Sequence, residues 1–451
     1  MNQLSLIDSP LFGASFVDAG MRDIVNFEAY VAHCIECEVA LAKAQGRLGV
    51  IPESASLDIQ DGVRDFQIDL ERLRRETEIV GYPILPIVEQ LASHVGTSGR
   101  FLHWGATTQD IMDTAMVLQV RAALKLIDAH LHSVADRLVR LAEDHRATPM
   151  AGRTHLQHAL PITFGYKAAV WLSSIDRHRE RIVQLTARVL MVQFSGAAGT
   201  LASLGNDGLA VQEGLANELD LAVPSITWHS CRDTIAEAIQ FLGLVTGSLA
   251  KIAFDISVMM TTELGEVSEP YVRHRGASST MPQKQNPISC ELIIAASKLV
   301  RQHAGLMLDA MVHDFERATG VWHLEWSAVP ESFALTSGAL AQADFMLAGL
   351  QVHPSRMRAN LDKSRGLIVA EAVMMALAPK TGRQSAHDIV YAACRRAVEA
   401  DCSLYEVLTD VQEVRIHLNL EALQGLTDPA NYLGSAPLMV DRMLATRPRA
   451  T

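Results

Sequence analysis

Two histidines, His155 and His158, stand three residues apart in Gly152-Arg153-Thr154-His155-Leu156-Gln157-His158-Ala159. On a helix they share one face. An imidazole changes charge near neutrality, so one of them suits a general acid or base. A metal pair fits less well, because no third ligand stands nearby at a usual spacing. The plain alternative is a pair of hydrogen-bonded structural histidines.

A second stretch runs Gly276-Ala277-Ser278-Ser279-Thr280-Met281-Pro282-Gln283-Lys284-Gln285-Asn286-Pro287. Small residues followed by Met-Pro, a lysine and an asparagine have the composition of a mobile active-site loop. A serine there can act as nucleophile or base once nearby cations and amide dipoles lower its proton affinity. A surface linker has no need of Met, Lys and Asn framed by two prolines. A third stretch, His103-Trp104-Gly105-Ala106-Thr107-Thr108-Gln109-Asp110, precedes Asp113, Thr114 and a long apolar period. Thr107 or Thr108 at a helix start turns free N–H groups and the positive end of the dipole toward an anion. The alternative there is a capped helix start and nothing more.

Two further patterns carry less. Cys34 and Cys37 have C-x-x-C spacing, but they lie inside a predicted helix without a second pair or a βαβ context, so redox or zinc chemistry is not expected of them. Gly196-Ala197-Ala198-Gly199 is a glycine-rich run with no preceding strand, which is poor ground for a nucleotide site.

Long helices must position these stretches. The chain has 451 residues, is 49% hydrophobic and only 5% aromatic, so its apolar mass is aliphatic and suits helix packing. Prolines are missing from 87–148, 162–223, 225–269 and 288–329, which leaves room for helices of unusual length. Val117, Val120, Leu124, Ile127, Leu131, Val134, Leu138 and Leu141 recur in steps of three and four, a heptad seam. Segments near 159–190, 234–264, 288–312 and 328–349 also read as helices. Phe27 to Leu48 reads as one helix closed by Gly49 and Pro52, and helices are expected near 367–378 and 384–400. No β-type alternation of useful length is evident. The predicted class is all-α, with an N-terminal helical domain (1–112), an elongated central five-helix bundle (113–354) and a C-terminal helical domain (355–451).

A net charge of -12 argues against a nucleic-acid partner, which needs a basic face. It permits an anionic substrate, since a few focused cations dominate one pocket. Charges interrupt the N-terminal stretch and the apolar runs, so neither a signal peptide nor a membrane span is expected. Six cysteines in a chain of this length read as free thiols in a cytoplasmic protein.

The stretch Ser278–Pro287 matches S-S-x-M-P-x-K-x-N-P, the signature of the fumarase/aspartase superfamily, and the other two stretches match that superfamily's remaining regions in order. The resemblance covers essentially the whole chain. Within the superfamily the chain resembles the bacterial 3-carboxy-cis,cis-muconate cycloisomerase group. His103–Thr114, Gln193–Gly199, Gly320–Trp326 and Asp428–Gly434 carry that likeness. Three positions depart from it: Ala277 where glycine is usual, and Gln283 and Gln285 where the group favours His and Arg.

The resemblance implies a cofactor-free and metal-free enzyme that removes a proton alpha to a carboxylate and expels a group from the beta carbon. It implies Ser278 as catalytic serine, His155 as the acid serving the leaving group, and Glu291 as the partner orienting that histidine. Lys284 and Asn286 correspond to the grip on the substrate carboxylate. Thr107, Thr108, Thr154, Gln157, Ser279 and His103 correspond to further substrate contacts, with Arg317 and, more weakly, Arg22 for an additional carboxylate. It also implies a homotetramer with a twenty-helix core and active sites shared between subunits. The expected reaction is lactonisation of 3-carboxy-cis,cis-muconate; the alternative is a C–N lyase releasing fumarate from an N-substituted aspartate such as adenylosuccinate. A third, purely structural role is disfavoured by the retention of Ser278, His155, Lys284 and Asn286.

Overall fold

A computed structural model describes residues 5–447. The chain is 68% helical, in keeping with the all-α expectation. Helix α1 (Phe27–Arg47) opens on Asn26, whose side chain accepts from the Ala29 N–H. The five long helices expected in the middle all form: α2 (Thr108–Asp144), α3 (Phe164–Val189), α4 (Asp233–Met259), α5 (Ile288–Ala310) and α6 (Glu325–Ala348). All eight residues of the predicted heptad seam on α2 are buried. That burial is why one face of a 37-residue helix is so regularly apolar.

The chain divides into two compact units. The first comprises Met1–Leu131, His178–Leu249 and Leu292–Ala341. One of its cores joins Ala42, Ile51, Ile59, Leu91 and Leu102. The second comprises His132–Arg177, Ala250–Glu291 and Gln342–Thr451. Its larger core is built by helices α7 (Ala370–Thr381) and α8 (Arg383–Glu399) with the short helices after them, around Val373, Leu377, Val390, Leu404 and Leu408.

The strand content and one helix start need correction. Strands do form: β1 (Pro149–Thr154) and β2 (Gln157–Thr163) make an antiparallel hairpin, and β3 (Val267–Ser268) pairs with β4 (Gln351–Val352). Residues 159–163 therefore belong to β2, and the helix placed near 159 begins at Phe164. Pro149 and Pro161 account for this, since a proline fits a strand end or edge better than a helix interior. Helix α4 is by length and composition apolar enough to cross a bilayer, with Lys251 and Asp255 interrupting its apolar run. That is a statement of length and composition; the part of α4 from Ala250 belongs to the second unit, where the Asp255 carboxylate accepts from Trp171 Nε1 at 3.1 Å.

Candidate active site

In the first unit, α2 starts at Thr108 and the residue before it meets a cation from far along the chain. Arg317 Nη1 donates to Thr107 Oγ1 at 2.9 Å, and Arg317 Nη2 donates to the Ala197 carbonyl at 2.9 Å. A guanidinium thus lies beside the helix N-terminus, where backbone donors and dipole already favour negative charge. Asp110 ties this corner together from beneath. Its Oδ2 accepts from the Thr107 and Gly196 N–H groups at 3.0 and 2.9 Å, and its Oδ1 accepts from the Ser195 N–H at 2.9 Å. His229 Nε2 stands 2.7 Å from the same Oδ1. Three of the predicted residues, Thr107, Thr108 and Arg317, are therefore neighbours.

His103 and Arg22 have other engagements. His103 Nδ1 lies 2.6 Å from Glu38 Oε1, and the His103 N–H donates to Glu38 Oε2 at 3.0 Å. Burial by itself depresses the imidazole pKa, but the adjacent Glu38 carboxylate outweighs it, and the net shift is upward. Folding then favours the protonated ring. The contribution is complete below the ordinary imidazole value of about 6.5 and is lost as pH rises through the higher folded value. The thermal midpoint of the wild type should exceed that of His103→Gln most at pH 6, with the gap closing by pH 9. A gap that is flat across this range would argue against a charged pair. Arg22 donates from Nη2 to the Ile7 carbonyl at 2.9 Å and lies 3.9 Å from Asp8, so it pins the N-terminal turn.

In the second unit the histidine stretch is the hairpin tip, not a helix turn. Thr154 pairs with Gln157, leaving His155 and Leu156 as a two-residue connection. Both have left-handed φ, 51° and 64°. That is the geometry of a type I′ turn, matched to the twist of the strands but strained for residues with a Cβ. Thr154, His155 and Gln157 are exposed there together. The two histidines do not share a face as they would on a helix. His158 sits opposite Arg153 on the strand pair, and its pKa is lowered first by burial and then by the Arg153 charge.

The Ser278 loop closes on itself. The Asn286 N–H donates to the Gly276 carbonyl at 3.0 Å, and Ala277 bridges Gln285. Gly276 has φ +70°, and a Cβ there would lie 2.5 Å from the Asn286 carbonyl oxygen. Glycine is thus required at 276, whereas Ala277 is not among the residues with positive φ, which explains why alanine is accommodated at that departure from the signature. The Thr280 and Met281 N–H groups donate to Ser278 Oγ at 3.2 and 3.0 Å. Two amide dipoles aimed at one hydroxyl oxygen favour its deprotonated form. Ser279 Oγ lies 3.5 Å from Thr280 Oγ1 and takes no such pair. Lys284 and Asn286 line a cavity of about 260 Å³ with Arg273, His274 and Arg275. Glu291 is the fourth residue of α5. Among the described residues, no hydrogen bond joins His155 to Glu291 within one protomer.

Sequence reasoning missed several residues that hold these elements. Asp110 was seen only as part of a motif. Arg232 is fully buried and bonds bidentately to Asp113 at 2.7 and 2.9 Å, while its Nε donates to Glu325 at 2.8 Å. Asp113 also accepts from Gln109 Nε2 and Trp322 Nε1.

The geometry and the signature together point to one class. The sequence profile described as Lyase matches residues 20–301, and that described as Adenylosuccinate lyase C-terminus matches residues 366–443. The chain belongs to the fumarase/aspartase superfamily of lyases and is an enzyme of that class. Among particular relatives, it is 44% identical to 3-carboxy-cis,cis-muconate cycloisomerase of Pseudomonas aeruginosa, covering 96% of each chain. It is 49% identical to trans-aconitate decarboxylase 1 of Mycosarcoma maydis, over 94% of this chain and 86% of that one. A crystal structure of fumarate lyase from Mesorhizobium sp. BNC1 is 63% identical, with a TM-score of 0.93, covering 97% of this chain and 100% of that one.

Proposed function

We propose that the enzyme converts 3-carboxy-cis,cis-muconate to a carboxymuconolactone. The observation that carries the acid–base reading is Ser278 Oγ under two backbone N–H groups, within a loop that sets Lys284 and Asn286 beside Arg273 and His274. The substrate follows from the 44% identity to a cycloisomerase across nearly the whole chain.

In the lactone-forming direction one substrate carboxylate oxygen adds to the conjugated double bond. Charge moves onto the carboxylate at the far end of that bond, and Lys284 and Asn286 hold it. The Ser278 hydroxyl then gives its proton to the neighbouring carbon. In reverse, the serine oxyanion removes that proton and the ring carboxylate leaves, with His155 serving that leaving group. Thr107, Thr108 and Arg317 receive a further carboxylate. Both reacting groups belong to one molecule, so holding its ends supplies proximity.

The site is completed by other protomers. Val170 and Val183 on α3, Leu244 and Phe254 on α4, and Leu299 and Leu308 on α5 are exposed in the single chain, and only 44% of the most apolar stretch of α4 is buried. Apolar exposure on this scale along long helices supports subunit packing as a homotetramer.

A second reading is decarboxylation of trans-aconitate. The 49% identity favours it, and Gln283 and Gln285 depart from the cycloisomerase pattern. The test mixes purified enzyme with each tricarboxylate. Loss of the diene's ultraviolet absorbance with 3-carboxymuconate is the expected result. Carbon dioxide release from trans-aconitate with no change in the diene would replace the first reading with the second. Fumarate release from adenylosuccinate would move the enzyme to the C–N lyases.

A further inference from the structure

Among the described residues, the side-chain hydrogen bonds that pin the hairpin's orientation near its tip run through one arginine. Arg153 leaves β1 one residue before Thr154 and two before His155. Its Nη2 donates to Glu266 Oε1 at 2.6 Å and its Nη1 to Glu266 Oε2 at 2.9 Å, a two-pronged pair. The Glu266 side chain is fully buried. Asn360, also fully buried, donates from Nδ2 to Glu266 Oε1 and to the Leu264 carbonyl, each at 2.9 Å. The backbone at Glu266 is held as well: its N–H donates to the Met259 carbonyl, and its carbonyl accepts from His353. The carboxylate is therefore fixed from several sides before Arg153 reaches it.

The remainder of the hairpin needs such a fixture. Ala151 at its base packs with Leu361, Ile368, Val369 and Ala372, which anchors that end through apolar contact. Beyond Ala151 the register shifts at Gly152, where a Cβ would lie 2.7 Å from the Leu160 carbonyl oxygen. An irregularity of this kind re-aims the strand that follows it. Past Arg153 the chain enters the strained His155–Leu156 turn, whose residues are exposed. Strain persists where the surroundings over-determine the backbone. Between the irregularity and the turn, the Arg153 fork is the side-chain contact that sets direction.

We infer that Arg153, held by Glu266 and Asn360, is the positioning residue that aims the hairpin tip and with it His155; this rests on the reading of His155 as the residue serving the leaving group. Lysine at 153 keeps the charge but is a point donor, so it cannot fix the angle of the strand against the carboxylate. A tip displaced by about 1 Å costs on the order of 10²-fold in rate.

Arg153→Lys, Glu266→Gln and Glu266→Asp test this on the assembled enzyme. Turnover and hydrogen–deuterium exchange across residues 150–162 are the readouts. Arg153→Lys should lower kcat about 10²-fold with KM nearly unchanged, and should raise exchange at 154–158 while exchange in α7 and α8 stays the same. Glu266→Asp should recover part of what Glu266→Gln loses. Arg153→Lys with wild-type kcat overturns the inference, whether or not exchange at the tip rises. Unchanged exchange at the tip in both Arg153→Lys and Glu266→Gln also overturns it. If the wild type turns over none of the polycarboxylates, the functional reading fails separately, and the exchange measurement still decides whether the fork aims the tip.

Discussion

Replacing Ser278 with alanine is expected to lower turnover by roughly 10²–10⁴-fold, the range that one general acid–base group supplies. The protomers should stay assembled, because the Ser278 hydroxyl accepts two local N–H groups and the loop keeps its Asn286–Gly276 and Ala277–Gln285 links without it. Ser279→Ala serves as comparison. Its hydroxyl takes no pair of backbone donors, so its loss should act on substrate binding more than on kcat. The measurement is initial rate by absorbance with size exclusion on the same samples. Wild-type rates in Ser278→Ala would remove the serine from the reaction and leave the loop as a binding element alone.

The second large effect concerns stability. Arg232→Met is expected to cost about 3–5 kcal/mol, the range for breaking a buried ion pair by removing one partner. The variant leaves Asp113 and Glu325 charged and out of water, close to one another. Burial already pushes the Glu325 pKa upward against the pull of Arg232, so without the guanidinium the two carboxylates have little compensation. Replacing all three with apolar residues of similar volume should recover much of that loss, because a buried ionic cluster often breaks even against apolar packing. Asp113 also accepts from Trp322 Nε1 and Gln109, so recovery should be incomplete. Apparent thermal midpoints of the single and triple variants decide it. A triple variant less stable than Arg232→Met would show that the cluster contributes more than its own neutralisation.

The sequence made the long helices legible because two physical rules acted in concert. Proline was absent from four of the five, with Pro330 near the start of α6 as the exception, and on α2 the apolar positions kept a heptad period that burial demands. The hairpin was not legible. Its turn is His155-Leu156, without the glycine or asparagine that normally marks two left-handed residues, and its strands do not alternate cleanly. The signature loop identified Ser278, Lys284 and Asn286 by residue type and spacing. It gave no sign that Gly276, one place earlier than the familiar glycine, carries the left-handed backbone. The meeting of Thr107 with Arg317, 210 residues apart, was expected only through the resemblance. The Asp113–Arg232–Glu325 cluster was invisible for a general reason: which charges meet inside a protein is set by tertiary packing, and spacing along the chain carries no trace of it.

The backbone at the hairpin tip sets a limit on how this enzyme can change. At positions 155 and 156 the residues that would relax the turn are asparagine and glycine, and the first of those substitutions deletes the imidazole. Engineering for heat resistance would reach for that pair early, and each variant it kept would be sturdier and slower. Leu156→Gly is the half-step that keeps the histidine, and it would loosen the ring's aim as it relieves the backbone. A lineage that holds both a non-glycine turn and its activity must therefore recruit robustness elsewhere in the chain.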